Sequence, residues 1–402
     1  MPTEQVAPSA APENPSHRPA LRLPWVDNLR TLLILLVVNI HACVTYSHVG
    51  DWYIKEQPEP PLLPAKLVFL IWEGHLQAFF MGLLFFLAGF FAHGSIARHG
   101  VGKFVRERLL RLGVPLLAFV FIINPFVLFV MHPWPGHPPP LGVAYSRFLA
   151  SGRFLEETGP LWFVETLLVF SGLLALVRTL WPAAGKAPAP PQHWPTIRPA
   201  RFLLLGLALT LASFLVRTVQ PIGVSVLNLQ FCFFAQYVAA FSLGAIAARH
   251  FDLGSIARLP FAKLWSWTAV VLGPLAVTGL FLAAMPVLVP DVELPPFYGG
   301  WNWLALGFAA WEQFAGIALA LGIMAFAFRR LNFEAAWTRW LNERSFGVYV
   351  IHTPVLIGVT LGLRGIHANP FVMAGLLTVL GLAGSFIAAD LLRRIPLVRA
   401  AV

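Results

Sequence analysis

The stretch Asp27-Asn-Leu-Arg30-Thr-Leu-Leu-Ile-Leu-Leu-Val-Val-Asn39-Ile-His41 starts on a charged lip and runs into an apolar segment with an imidazole at its middle. At about 1.5 Å rise per residue, a helix puts His41 roughly 16 Å beyond Arg30, near the centre of a bilayer. An ionisable side chain at that depth is costly, which marks this helix as a candidate functional element. The rest of the chain is read outward from it.

Hydrophobic residues make up 58% of the 402-residue chain and charged residues 11%, with 14 Trp and 34 Phe, which is the composition of a polytopic membrane protein. The net charge of +10 does not point to nucleic acid, because the basic residues form short clusters between apolar runs. Against the roughly 20 residues needed to cross a bilayer, the apolar runs predict ten spans. They fall at about 29–46, 67–94, 111–131, 161–181, 202–219, 227–248, 265–289, 303–328, 345–363 and 371–392. The expected fold is all-α, an integral membrane helical bundle.

With the amino terminus in the cytoplasm, only Lys55, Lys66, Arg147, Arg153, Arg217 and Arg364 of the 28 lysines and arginines fall outside. Ten spans with both termini cytoplasmic therefore satisfy the positive-inside rule. Residues 1–24, rich in Pro and Ala, are expected to be a disordered cytoplasmic tail rather than a signal peptide. Residues 25–395 form the membrane domain, interrupted by a Pro-rich cytoplasmic linker at 182–200. No internal repeat is visible. Cys43 and Cys232 lie inside apolar runs, and His132 and His137 sit in a Pro-rich loop without carboxylate or thiol partners, so no metal site is expected.

Arg108 and Arg111, three apart at the start of the third span, suit a phosphate, although basic residues at helix ends also serve as plain topology anchors. His352 lies eight residues after Arg344, about 12 Å into the membrane from the same side, a depth similar to that of His41. Two histidines at one depth on separate helices suit a shared cavity, while each alone also fits a core histidine bonded to a carbonyl. Glu73 and Glu165 are intramembrane carboxylates that need partners, and are candidates for orienting or acceptor-side roles. Trp52, Tyr53, Trp134, Tyr298, Trp301 and Trp303 suit sugar stacking, but interfacial aromatic belts explain them without a ligand.

Five motifs carry a resemblance: Asp27-Asn-Leu-Arg30 followed by ten residues and His41, Phe85-Phe-Leu-Ala-Gly89-Phe-Phe, Phe104-Val-Arg-Glu-Arg108-Leu-Leu-Arg111-Leu-Gly-Val-Pro115, Gly159-Pro-Leu-Trp162-Phe163, and Ser345-Phe-Gly-Val-Tyr349-Val-Ile-His352-Thr-Pro354. In type and order they resemble the membrane acyltransferase 3 family of bacterial O-acyltransferases, over nearly the whole apolar body. Ala88 departs from it, since many members carry serine there.

The resemblance implies transfer of an acyl group, acetyl or succinyl, from cytoplasmic acyl-CoA to a hydroxyl of an extracytoplasmic carbohydrate or glycan. It also implies a multi-pass protein of the bacterial inner membrane, with acyl-CoA as donor substrate and no bound cofactor. Arg30, Arg108 and Arg111 would bind the acyl-CoA phosphates. His41 would act as base, since a neutral imidazole is the basic form, with its tautomer set by a carboxylate or Asn39. His352 and Tyr349 would support the oxyanion, and Asp27, Glu73, Glu165 and Tyr349 are the orienting or acceptor-side candidates. The competing class is a transporter or flippase for an anionic substrate, which would move its substrate without consuming acyl-CoA.

Overall fold

The computed structural model describes residues 23–60, 62–131, 139–181, 197–284, 296–396 and 398. The expected tail up to residue 22, the His132–His137 segment and linker residues 182–196 lie outside the described residues. Among the described residues ten helices are long and apolar enough to cross a membrane: α1 Pro24–Ser47, α2 Pro64–His99, α3 Val101–Met131, α4 Gly159–Leu180, α5 Pro199–Val219, α6 Phe231–His250, α7 Ala262–Ala284, α8 Trp303–Arg330, α9 Ala336–Leu363 and α10 Pro370–Leu392. The number agrees with the apolar runs, and the described residues form no sheet, only an isolated bridge between Val226 and Leu229. Several helices start earlier than hydropathy alone indicates. The first turn of α9 carries Trp337, Thr338 and Arg339, polar enough to dilute the apolar signal yet helical because backbone groups near a bilayer must be paired internally.

Helix starts follow the expected chemistry. Pro24, Pro199 and Pro370 occupy first-turn positions where an N–H is not needed. Asn302 and Asn369 cap α8 and α10, accepting from the backbone N–H groups of Ala305 and Phe371. The third span departs most from a regular helix, alternating α-turns with wide π-turns at Leu109–Gly113, Phe119–Ile123 and Val127–Met131. Pro115 and Pro125 lie within this run and cannot donate to the carbonyls four residues earlier. One of these, Phe121, accepts from the Tyr145 hydroxyl at 3.1 Å instead.

α2 is the central helix, with 67% of its apolar window buried, the largest share of the ten. Its tightest neighbour is α6. A Cβ on Gly89 would collide with the carbonyl of Phe241, and one on Gly244 with the carbonyl of Phe86, so the two backbones meet through paired glycines. The glycine of the Phe85–Phe91 motif thus has a packing reason. On the other side, α1 packs against α9 and α10.

The start of α1, the end of α8, the start of α9 and the end of α10 are tied together at one end of the bundle. Asn28 donates to the carbonyls of Leu331 (2.7 Å) and Phe333 (2.9 Å), Asn342 donates to Asn28 (2.8 Å), and Arg344 pairs with Asp390 at 2.6 Å. Deep between α5 and α8, fully buried Arg217 pairs with Glu312 at 2.5 Å and lies over the rings of Phe233 and Phe308. A paired charge of this kind is the form in which ionisable groups survive inside a membrane bundle.

Candidate active site

His41 on α1 and His352 on α9 are in direct contact. His41 Nδ1 lies 3.0 Å from His352 Nε2, and the two rings are near-parallel with centroids 5.1 Å apart. His352 is fully buried, and its Nδ1 lies 2.7 Å from the carbonyl oxygen of Tyr349, three residues back on the same helix. Trp52, from the connection between α1 and α2, stacks over the pair, 4.1 Å from the His41 centroid at a tilt of 14° and 6.1 Å from the His352 centroid at 16°. The Tyr349 hydroxyl donates to the carbonyl of Pro160, which joins α9 to the Gly159-Pro-Leu-Trp162-Phe163 motif. That motif begins at Gly159, whose φ of +50° and contacts with Tyr53 and Phe119 leave no room for a side chain.

His41 and Tyr349 line a cavity of about 1010 Å³. From α1 it takes Val37, Ile40, His41 and Val44, and from α2 Glu73, Gly74 and Gln77; its rim is formed by loop residues that include Asp51, Lys55, Glu157, Ser225, Asn228 and Tyr298. It therefore opens at the end of the bundle opposite Arg30. Its wall is rich in aromatic rings, among them Trp52, Trp162, Tyr237, Phe297, Phe308 and Trp311, with Glu73 and Glu312 as polar points within the membrane depth. Glu73 accepts from the Ser47 hydroxyl at 2.8 Å, whereas Glu312 is neutralised by Arg217. Among the rim groups, burial raises the Tyr298 phenol above its ordinary value and the nearby Glu73 adds to the effect.

The other candidates are distributed as follows. Glu165 does not line the cavity; it bonds Thr158, and its Oε2 is buried without a partner among the described residues. Asn39 does not orient His41, because its amide donates to Thr378 (3.1 Å) and its oxygen accepts from the Trp72 indole (2.9 Å). Asp27 lies 3.9 Å from Arg30, whose guanidinium covers the ring of Phe91. Arg108 covers Phe104 and lies within electrostatic reach of Arg30 and Arg111. The wide turn at Leu109–Gly113 separates the pair in facing: Arg108 is half-buried and Arg111 exposed. The three arginines thus gather at the α1 start, remote from the cavity, whose lining on α1 begins at Val37.

Three features were not legible beforehand. Trp52 suits an interfacial belt as well as a ligand, since its ring contact with His41 depends on how the 16-residue connection between Ser47 and Pro64 folds back. Ser47, the partner of Glu73, is an ordinary hydroxyl in sequence. The choice of Glu312 by Arg217 joins positions 95 apart; the sequence offers Arg217, Arg153 and the histidines as alternative partners for the intramembrane carboxylates, and does not choose among them.

Ten membrane helices enclosing a histidine-lined cavity define a polytopic membrane protein built around an internal chemical site. The family model described as an acyltransferase domain, acyltransferase 3, matches residues 23–390, and the chain belongs to this family. It is a multi-span membrane acyltransferase with bacterial relatives. Similar curated proteins include glucans biosynthesis protein C of Salmonella gallinarum and of Salmonella paratyphi B, each 22% identical over 399 residues, covering 95% of this chain and 94% of the relative. The protein of the same name from Salmonella schwarzengrund is 22% identical over 406 residues, with the same shares covered. No solved structure matches.

Proposed function

We propose that this protein transfers an acyl group, acetyl or succinyl, from cytoplasmic acyl-CoA to a hydroxyl of a glucan or related glycan on the far side of the bacterial inner membrane. The observation that carries the reading lies on one helix. α1 carries Arg30 near its start, beside Arg108 and Arg111 of α3, and roughly 16 Å further along a histidine that lines a cavity opening at the opposite end. Concentration of Lys and Arg at the Arg30 end supports that end as cytoplasmic, with both termini there. The name of the relatives, glucans biosynthesis protein C, supports a glucan as acceptor class.

Acyl-CoA carries phosphates, which Arg30, Arg108 and Arg111 neutralise through charge-assisted hydrogen bonds. On α1 the segment between Arg30 and the cavity includes the buried Leu33 and Ile34, so the thioester enters as neighbouring helices part. The acceptor hydroxyl approaches from the loop end, where cavity-lining aromatics offer flat apolar faces and Glu73 a hydrogen-bond acceptor. His41 Nε2 takes the hydroxyl proton as the new C–O bond forms at the thioester carbon. The tetrahedral intermediate then collapses with cleavage of the C–S bond, and the proton passes from His41 to the departing thiolate. If the acyl group first rests on His41 as a covalent intermediate, the same nitrogen is used, so both routes end with loss of this residue.

The test is release of free CoA thiol by purified protein supplied with acetyl-CoA or succinyl-CoA and a glucan acceptor. Acceptor-dependent release is expected, falling by at least roughly 10²- to 10⁴-fold in His41→Ala, the contribution of a general base. Full activity in His41→Ala would remove the residue from the mechanism. Glucan movement across the membrane without thiol release would make the protein a transporter.

A further inference from the structure

We infer that His352 is a positioning residue that fixes the tautomer of His41, leaving His41 Nε2 as the bare, proton-accepting nitrogen on the cavity side. The kinetic consequence rests on the acyl-transfer reading above; the structural content does not.

The argument is a count of protons along one line of hydrogen bonds. A backbone carbonyl only accepts, so His352 Nδ1, 2.7 Å from the Tyr349 oxygen, carries a hydrogen. The carbonyl of Val348 is a second backbone acceptor for the same ring. A neutral imidazole has one N–H, so His352 Nε2 is bare and accepts. Its partner at 3.0 Å, His41 Nδ1, is then the donor, and His41 Nε2 holds the free lone pair. No described group bonds that nitrogen, and the His41 ring borders the cavity. Trp52 stacked at 4.1 Å resists the ring flip that would put Cδ2 in the place of Nδ1 and break the bond to His352.

The arrangement performs the duty that a carboxylate performs in a Ser-His-Asp triad, holding the base in its working tautomer. Among the described residues neither imidazole pairs with a carboxylate, and the terminal acceptor is a backbone carbonyl. The orienting line therefore carries no formal charge, which suits a site inside the bilayer. When His41 takes a proton on Nε2, its Nδ1–H remains bonded to the His352 lone pair, and the imidazolium is stabilised in place. A doubly protonated His352 would reverse the line: His41 Nδ1 would have to accept, its Nε2 would carry the hydrogen, and the base would be lost.

Two measurements separate this inference from the functional reading. Nitrogen-15 NMR of histidine-labelled wild-type protein in lipid nanodiscs, with His41→Gln and His352→Gln for assignment, reads the tautomers without any substrate. A proton on His41 Nδ1 and a bare Nε2 are expected, and a proton on His41 Nε2 would overturn the inference. In the thiol-release assay, His352→Gln keeps an acceptor near the Nε2 position and is expected to stay within about tenfold of wild-type kcat. His352→Leu removes it and is expected to lose roughly 10²- to 10⁴-fold in kcat with KM for both substrates unchanged. Equal losses in the two folded variants, or an undiminished kcat in His352→Leu, would reduce His352 to packing. The expected tautomer in a protein that transfers no acyl group would leave this inference standing and end the functional reading alone.

Discussion

At the scale of single residues, burial decides which side chains need partners, and the partners found explain most of the polar interior. His41 and His352 answer each other, Glu73 takes a hydroxyl, and Arg217 takes Glu312. The last pair lends itself to a stability test, because removing one member leaves a buried charge without its partner. Arg217→Met is expected to destabilise the protein by about 3–5 kcal/mol, with the double variant Arg217→Met/Glu312→Leu recovering most of it. Thermal unfolding in detergent measures both, and an Arg217→Met protein as stable as wild type would show that Glu312 does not depend on this partner. The matching depth of the two histidines was legible from helical rise alone. Their nitrogen-to-nitrogen contact was not, because side-chain azimuth depends on how α1 and α9 rotate against each other.

At the scale of elements, close backbone approach and loop clasps set the geometry around the site. Gly89 and Gly244 let α2 and α6 touch, and a Cβ at Gly89 would meet a backbone carbonyl that cannot step aside. Gly89→Ala is therefore expected to lower stability by about 1–3 kcal/mol, the range of overpacked cores, and a thermal midpoint equal to wild type would contradict the assignment.

The α1–α2 connection that delivers Trp52 is held by ion pairs of Glu59 with Lys66 and of Glu56 with Arg364. The hydrogen bond from Lys66 is the main reason the Glu59 carboxyl sits below its ordinary value of 4.5. A depressed folded value means the contribution is complete above the unfolded value and is lost as pH falls through the folded one. The clasp is thus expected to hold at neutral pH and to release only below about pH 4.5, with a small effect because Glu59 is half exposed. Comparing the thermal midpoint of wild type and Glu59→Gln between pH 7 and pH 3 checks this. The difference between the two should shrink with acidification, and one that grows would reverse the sign argued here.

At the scale of the whole molecule, the arginine-rich end and the cavity opening are separated by the thickness of the bundle, which makes orientation part of the proposed function. The native cysteines, Cys43 and Cys232, are both buried, so single cysteines introduced on the surface report sidedness with little background. A membrane-impermeant maleimide is expected to label Arg153→Cys in intact cells and Glu334→Cys only after permeabilisation. The opposite pattern would place the cavity on the donor side and rule out the division of labour proposed here.

Hydropathy, residue periodicity and charge bias along the chain were sufficient for ten spans, for the two histidines' common depth and for a basic cluster at one end. These are properties of each segment's own transfer into a bilayer, summed locally, and they need no knowledge of neighbours. Family membership was also legible, because its motifs are local strings. The folded arrangement alone decided that Trp52 covers His41, that Glu312 belongs to Arg217, that Asn39 faces Trp72 and Thr378, and that Arg111 turns outward while Arg108 turns in. Each of these depends on helix rotation, on a wide turn or on the path of a loop. Those are set by close packing between segments far apart in sequence, where a few tenths of an ångström against a neighbouring backbone outweigh any local preference.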